Sequence, residues 1–421
     1  MTAAERHDLL VIGGGPSGAA AAYWAARHGL DVAVVEKATF PREKTCGDGL
    51  TPRAVTQLRA MGLGDRLAAH HRVVGLRTIA HQRTLELAWP RHSVHPDHGY
   101  VIRRRELDTL VAEHAVAAGA VLHEGTEATM PELERGHLVG ATVRDTVTGA
   151  TRSIRAPWVV VADGSNSRFG RALGTARDRT YPQGMAIRGY FESPRHEDRW
   201  IESALDVRDR NGNSIPGYGW VFPLGDGTVN VGMGLLSTFR DWKRVNTTAL
   251  WHEFTRTLPD HWQIDPEAPL APPTGGRLPM AGSVGPKQGP NWLLVGDAGG
   301  NINPFNGEGI DYAYETGRTA AALIAEAHGT GNGLVLERYP QLLDDEFRRY
   351  YRVARLFAEA IGNPRLMREL TRVGMRSKPL MAWALKIMSN MLDEDDPRFT
   401  ERSYAAIESA VRLLPGRVVS R

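Results

Sequence analysis

"DLLVIGGGPSGAAAAYWAARHGLDVAVVEK", Asp8 to Lys37, is the stretch that decides the fold. The apolar run Leu9 to Ile12 ahead of three glycines reads as a strand buried on both faces. The alanine-rich segment from Pro16 reads as a helix, and Val32 to Val35 as a second buried strand. Strand, helix and strand make a parallel βαβ unit. Gly13, Gly15 and Gly18 satisfy G-x-G-x-x-G in the context that gives the pattern meaning, directly after a strand and opening a helix. The first glycine permits the turn, the second lets backbone approach a pyrophosphate, and the third lets helix pack on strand. The helix opening at Pro16 and Ser17 aims its free N–H groups at the phosphates. Glu36, with Lys37 beside it, closes the second strand 18 residues beyond Gly18. A carboxylate there accepts from a ribose 2'-hydroxyl and repels a 2'-phosphate. A dinucleotide with an adenosine ribose is implied.

With 421 residues, 42% hydrophobic and 24% charged, the chain predicts a soluble protein of two to three domains. A single cysteine, Cys46, excludes an intrachain disulfide and any multi-cysteine metal site. No metal is expected, and a reducing cytoplasm suits the chain. The opening "MTAAERHDLL" is too charged for a signal peptide. No uncharged apolar stretch approaches the ~18 residues that span a bilayer, so a membrane role would be peripheral, on the inner face. Net charge is +3, unevenly spread. Phe347 to Asn390 holds ten Lys or Arg against Glu359 and Glu369, a balance of +8 that leaves −5 for the remainder. Such a basic, apolar-rich segment faces either an anionic membrane surface or plain water. No nucleic-acid module accompanies it, so nucleic acid is not an expected partner. Oligomeric state is not legible.

Further along, short alternating runs between Arg72 and Pro90 predict an antiparallel excursion. A helix is predicted from about Arg104 to Ala118, and strands at "HLVGATVRD", "TRSIRA" and "PWVVVADG". Strand follows strand with glycine turns from Gly184 to Leu235. Gly309 to about His328 reads as helix, and everything after Leu334 as helices broken by Gly362, Pro364, Pro379 and Pro397. The expected class is α/β, α+β overall. A discontinuous doubly wound dinucleotide domain (1–75, 98–180, 276–330) carries an inserted antiparallel substrate domain (76–97, 181–275) and a C-terminal helical region (331–421).

The choice between a nicotinamide and a flavin dinucleotide lies in "LLVGDAGGNINPFNGEGID", Leu293 to Asp311. A strand delivers Asp297 just past its end, where a carboxylate can bond a ribityl chain, and the glycine loop precedes a helix whose N–H groups can face a flavin pyrimidine. These residues resemble the aromatic hydroxylase superfamily of FAD proteins. That resemblance implies cofactor roles for Gly296, Asp297, Pro304, Gly307, Gly309 and Ile310. "DGSNSRFGR" is similar to the superfamily's third signature through Asp163, Gly164, Ser167 and Arg171, with one extra residue before the arginine. Arg104 looks like the arginine that reaches the FAD phosphates, with Arg103 and Arg105 as alternatives. "FPREKTCGDGLTPRAVTQLRAMGL", "PGYGWVFP" and "NPFNGEGIDYAYETGR" together resemble the geranylgeranyl reductase family, nearest its actinobacterial branch acting on the menaquinone side chain. The resemblance places Cys46, Gly47 and Asp48 at the flavin edge and gives Arg42 and Lys44 a part in holding the cofactor. Cys46 is a redox or proton-relay candidate, with a small buried hydrophobe as the plain alternative. Asp48 is a weaker acid candidate.

Tyr218, Trp220 and Phe222 in "PGYGWVFP" alternate, so a strand would set them on one face. Such a wall lines either a core or a cavity for an apolar chain, and Tyr218 could also donate a proton. The resemblance implies hydride transfer from flavin N5 plus protonation of a double bond in a polyisoprenoid lipid. NAD(P)H or another reductant would supply the electrons. The alternatives are an FAD monooxygenase or halogenase, and a mere carrier. The absence of lysine between Lys44 and Lys243 disfavours halogenation.

Overall fold

The structure, a computed structural model, describes residues 5–393 and 395–412. The outermost parts of the expected first and last regions, 1–4, 394 and 413–421, lie outside the described residues. Strand β1 (Leu9–Ile12) turns into helix α1 (Pro16–Arg27) and returns as β2 (Val32–Val35). Helix α2 (Pro52–Ala60) precedes an excursion, β3 (Gly75–Ala80) and β4 (Arg83–Ala88). Helix α3 (Arg104–Ala117) leads to β5 (Val121–His123), then to a meander of β6 (Thr126–Glu134), β7 (His137–Asp145) and β8 (Thr151–Arg155). Strand β9 (Trp158–Val161) follows. Next come β10 (Gln183–Glu192), β11 (Trp200–Ala204), β12 (Gly217–Pro223), β13 (Thr228–Leu236), helix α4 (Thr247–Arg256) and β14 (Thr274–Pro279). Strand β15 (Trp292–Leu294) precedes helix α5 (Ile310–Thr330). Helices α6 (Arg349–Ile361), α7 (Pro364–Gly374), α8 (Lys378–Met388) and α9 (Phe399–Arg412) follow.

The first sheet runs β15-β9-β1-β2-β5, parallel throughout. Side chains alternate across it. Leu9 and Val11 pack with Ala21, Ala25 and Ile324 of the helical layer, whereas Leu10 and Ile12 pack with Leu138, Val143 and Ile154 of the meander. Both faces are covered, so the strands are apolar without a break. The alanines of α1 let α5 approach closely: a Cβ on Gly317 would lie 2.4 Å from the Ser17 carbonyl oxygen.

The second sheet runs β14-β10-β13-β12-β11-β3-β4. Its neighbours are antiparallel except β3 and β11, which pair in parallel because the chain between them detours through the first domain. The excursion near residues 75–88 therefore forms one edge of this sheet. At the other edge, β14 pairs with β10 from Arg188↔Thr274 to Gln183↔Pro279. The expected return to the cofactor domain at 276 accordingly falls inside a substrate-sheet strand, and the sheet ends after Pro279. Helix α4 covers the outer face, with Trp251 against Gly189 and Phe254 against Gly219. The inner face looks toward the first domain. Beyond Leu334 the sequence punctuation marks the elements: α6 stops before Gly362, and Pro364 and Pro379 sit in the first turns of α7 and α8. Asn363 and Ser377 cap those two helices. No helix among the described residues is long and apolar enough to cross a membrane.

Candidate active site

The three motif glycines separate by what a side chain would meet. A Cβ on Gly13 (φ +105°) would lie 2.5 Å from the Ala162 carbonyl oxygen, and one on Gly18 only 1.8 Å from that of Gly13. At Gly15 it would meet only Arg42 Nη2, at 3.4 Å. The first and third glycines build the turn, and the second leaves a space open for phosphate beside a guanidinium. Arg42 is held there by Asp108 (3.1 Å), with its Nε buried and without a hydrogen-bond partner among the described residues. The cradle fits a pyrophosphate. Glu36 is buried at the end of β2, where its carboxylate accepts the N–H of Gly14 at 2.9 Å and of Ala38 at 3.1 Å. Lys37 is exposed beside it.

Arg104 lines the same cavity as the glycine turn. Its guanidinium is buried and bonds both oxygens of Asp108 at 2.8 and 2.9 Å. Burial alone would lower its pKa, but Asp108 and Cys46 hold it well above the ordinary value. Arg103 pairs with Asp226, and Arg105 is exposed. Arg42 shares Asp108 with Arg104 and is the guanidinium that stands beside Gly15. Asp163 and Gly164 (φ +80°) border the cavity, with Asp163 accepting from Ser167 Oγ at 2.5 Å and the Phe169 N–H at 2.9 Å. Burial, partly opposed by the Ser167 bond, raises the Asp163 pKa. Arg171 instead bonds Asn166 at the surface; the extra residue in the motif turns it outward, and Arg168 borders the cavity.

On the other side, Asp297 follows β15 into the cavity, 4.0 Å from Lys44 Nζ, and Pro304, Gly307, Gly309 and Ile310 continue the lining. Gly296 does not line it. A Cβ there would strike Ser17 Oγ at 2.5 Å, so this glycine lets the strand end pack on α1. Gly18 packs likewise.

The aromatic wall borders the same cavity. Ring centroids of Tyr218 and Trp220 lie 5.8 Å apart, and those of Trp220 and Phe222 6.1 Å. Across the strand pair, Gly234 faces Tyr218 and Gly232 faces Trp220. A Cβ on Gly232 would be 2.2 Å from the indole, which lies flat over that glycine. Trp220 Nε1 donates to Asn230 Oδ1 (2.9 Å), and Asn230 Nδ2 donates to the Cys46 carbonyl (2.9 Å) and to Asp48 (2.8 Å). Phe222 packs where a Cβ of Gly47 would stand, at 2.9 Å. The Cys46 loop is thus fastened to the wall. Cys46 is a free, half-buried thiol lining the cavity.

Asp48 departs from its expected role. It is fully buried at φ +65°, accepts from Tyr190 Oη (2.6 Å), Asn230 and the Arg104 N–H, and does not line the cavity. Burial keeps its pKa raised against those bonds. Its hydrogen bonds join loop to sheet. Tyr218 donates to the Asn306 carbonyl at 2.5 Å, and burial, with Cys46 and Glu308 adding, drives its pKa far up. Its hydroxyl proton rests on that carbonyl.

Trp220 is both wall and scaffold, so Trp220→Ala is expected to lower unfolding free energy by about 3–5 kcal/mol through the cavity it leaves and the unpaired Asn230. Denaturant titration of the holoprotein reads this; a loss below about 1 kcal/mol would show that the indole packs loosely.

The cavity, about 930 Å³, runs from the glycine turn past Asp297 and the wall to a roof formed by α6, α7 and α8, including Met367, Leu370, Trp383 and Leu385. Trp383, within the basic, apolar-rich segment, faces this cavity and bonds Ser403 through Nε1 (2.8 Å). The exposed apolar side chains are Leu366, Leu370, Val373 and Leu380, at the roof's outer edge. Glu308, Thr51 and Arg53 were missed from the sequence. A charged residue set between two glycines of an apolar loop, Gly307-Glu308-Gly309, was the available signal.

The FAD binding domain family matches residues 6–343. The chain is 39% identical, over 99% of both chains, to the menaquinone reductase of Mycobacterium tuberculosis. It is 31% identical to digeranylgeranylglycerophospholipid reductase 2 of Methanosphaera stadtmanae, over 82% of this chain and 85% of that one. Among solved structures, a geranylgeranyl bacteriochlorophyll reductase-like protein of Thermoplasma acidophilum superposes with a TM-score of 0.78 at 23% identity, covering 97% of this chain and 99% of that one. FAD is therefore the cofactor, and the chain belongs to the geranylgeranyl reductase family of FAD-binding oxidoreductases.

Proposed function

We propose that this protein saturates a carbon–carbon double bond in a polyisoprenoid chain, the menaquinone side chain before a geranylgeranyl lipid. The observation that carries the reading is that the aromatic wall and the flavin-edge loop border one cavity. An isolated alkene offers no carbonyl to polarise, so shape and apolar contact must grip it. Tyr218, Trp220 and Phe222 supply that grip, and each ring face stabilises positive charge developing on the methyl-bearing carbon by ~0.5–2 kcal/mol. Bound FAD, once reduced by a nicotinamide coenzyme or another two-electron donor, supplies the hydride. Arg42 and the α1 N-terminus hold its phosphates and Asp297 its ribityl chain, while the roof helices keep water from the alkene.

The same surface supports entry from a membrane. Leu366, Leu370, Val373 and Leu380 are exposed at the edge of the cavity roof, among Arg365, Arg368, Arg376 and Lys378. Each such cation gains ~1 kcal/mol near anionic headgroups. The test gives dithionite-reduced holoprotein menaquinone in anionic or neutral vesicles. The expected product carries two added hydrogens per reduced bond by mass spectrometry, formed faster from anionic vesicles at low salt. Absence of saturation with menaquinone and geranylgeranyl lipids alike would refute the reductase reading, and equal rates from both vesicle types would refute the membrane route.

A further inference from the structure

Behind the flavin-edge loop, three carboxyl groups share one cation. Glu308 lines the cavity between Gly307 and Gly309, and Asp311 and Glu315 follow on α5. Arg53 of α2 reaches Asp311 Oδ2 at 3.2 Å and both oxygens of Glu315 at 2.7 and 2.8 Å. Asp311 Oδ1 is buried without a hydrogen-bond partner among the described residues. One guanidinium cannot neutralise three buried carboxylates, so the group holds a proton at neutral pH, shared among its members. Arg53 is the cation that acts on all three. His95, which also faces Arg53, is pushed down to about 3 by burial and then by Arg53 and His92, so it is neutral. Glu346 adds negative charge from beyond Glu315. Tyr312 packs its ring against Arg53.

Thr51 fixes the Glu308 carboxyl at the cavity. It occupies the N-cap of α2, yet its hydroxyl makes no cap bond and donates instead to Glu308. A cap of that kind ordinarily contributes ~1 kcal/mol, so helix stabilisation is forgone to orient this carboxyl. Asn306 Nδ2 lies 3.4 Å from its other oxygen. Burial pushes Glu308 up to about 7 against the opposing Thr51, Arg53 and Asn306. Tyr218, whose pKa both Cys46 and Glu308 raise, has its own proton on Asn306.

We propose that Glu308 is the acid that protonates the alkene, with Thr51 as its positioning residue and the Arg53 cluster as its proton reserve. The proposal rests on the reductase reading above. As the π bond is consumed, hydride forms one C–H bond. The Glu308 O–H breaks to form the other, leaving a carboxylate that water reprotonates through the cluster.

In the holoenzyme, lipid saturation should be fastest below pH 7 and fall as pH rises through about 7, because the acid form is the active one. Glu308→Gln should lower kcat ~100-fold and flatten that profile, with FAD content and flavin midpoint potential unchanged. Thr51→Val, which removes a bond favouring the carboxylate, should move the fall to higher pH. Without lipid, the infrared C=O absorption of protonated carboxyls should lose a component over the same pH range, and that component should be missing from Glu308→Gln. A Glu308→Gln enzyme with wild-type rate and profile overturns the proposal while leaving the reductase reading intact. So does a loss of rate explained by a shifted flavin potential. If Glu308→Gln loses FAD, an unmoved profile in Thr51→Val overturns it. Wild-type protein that saturates no polyprenyl lipid overturns the reductase reading first, and this proposal with it.

Discussion

Gly15→Asp is expected to yield a folded protein without flavin. The backbone at Gly15 has φ −72° and ψ −176°, open to any residue, and a Cβ there finds only Arg42 Nη2 at 3.4 Å. Folding should therefore survive. The new carboxylate would occupy the phosphate space, neutralise Arg42 and repel the pyrophosphate. Losing two charge-assisted hydrogen bonds costs about 4 kcal/mol, ~1,000-fold in FAD affinity. Absorbance of the purified protein and titration of the apoprotein with FAD measure it. Near-normal FAD content with an intact fold would show that the dinucleotide phosphates lie elsewhere. Gly18→Ala is the useful contrast. Its Cβ would stand 1.8 Å from a backbone oxygen, so that variant should fail by unfolding.

Gly234→Phe should abolish lipid turnover while leaving the flavin in place. Gly234 faces Tyr218 across the strand pair, and a Cβ there meets the Met185 carbonyl oxygen at 3.5 Å and the Trp220 ring at 4.0 Å, both ordinary contacts. The backbone accepts the substitution, and the ring projects into the cavity beside the wall. Displacing one isoprene unit forfeits about 4 kcal/mol of apolar burial, ~1,000-fold in kcat/KM. Full flavin content, a melting temperature within about 5 °C of wild type and lost turnover are the expected results. Normal turnover would mean that the polyprenyl chain does not run along the wall.

The local motifs were legible in the sequence because their physics is local. A glycine turn between a buried strand and a helix has one backbone solution, and its acid closes the next strand, so Gly13, Gly15, Gly18 and Glu36 could be placed from spacing alone. The flavin loop read as well, since a strand end, Asp297 and two glycines before a helix form one continuous segment. Alternation put Tyr218, Trp220 and Phe222 on one face for the same reason.

Which groups meet across the fold was another matter. Arg104 and Arg42 are equally basic in sequence, and only the packing of the fold shows that both pair with one buried carboxylate, Asp108, with Arg42 standing beside Gly15. Asp48 reads as an acid at the flavin edge until Tyr190 and Asn230, 142 and 182 residues away, enclose it. Trp383 lies in a segment whose sequence offers either a membrane or plain water as its neighbour, and only the fold sets it at the cavity. The proton-holding cluster joins Glu308 to Thr51, 257 residues earlier. The sequence by itself determined the glycine turn, the parallel and antiparallel character of the two largest sheets and the shared face of the wall, all set by backbone periodicity and turn geometry over short separations. The tertiary structure alone decided which charges are paired, buried or free, because the cost of burying a charge depends on neighbours that folding brings from distant parts of the chain.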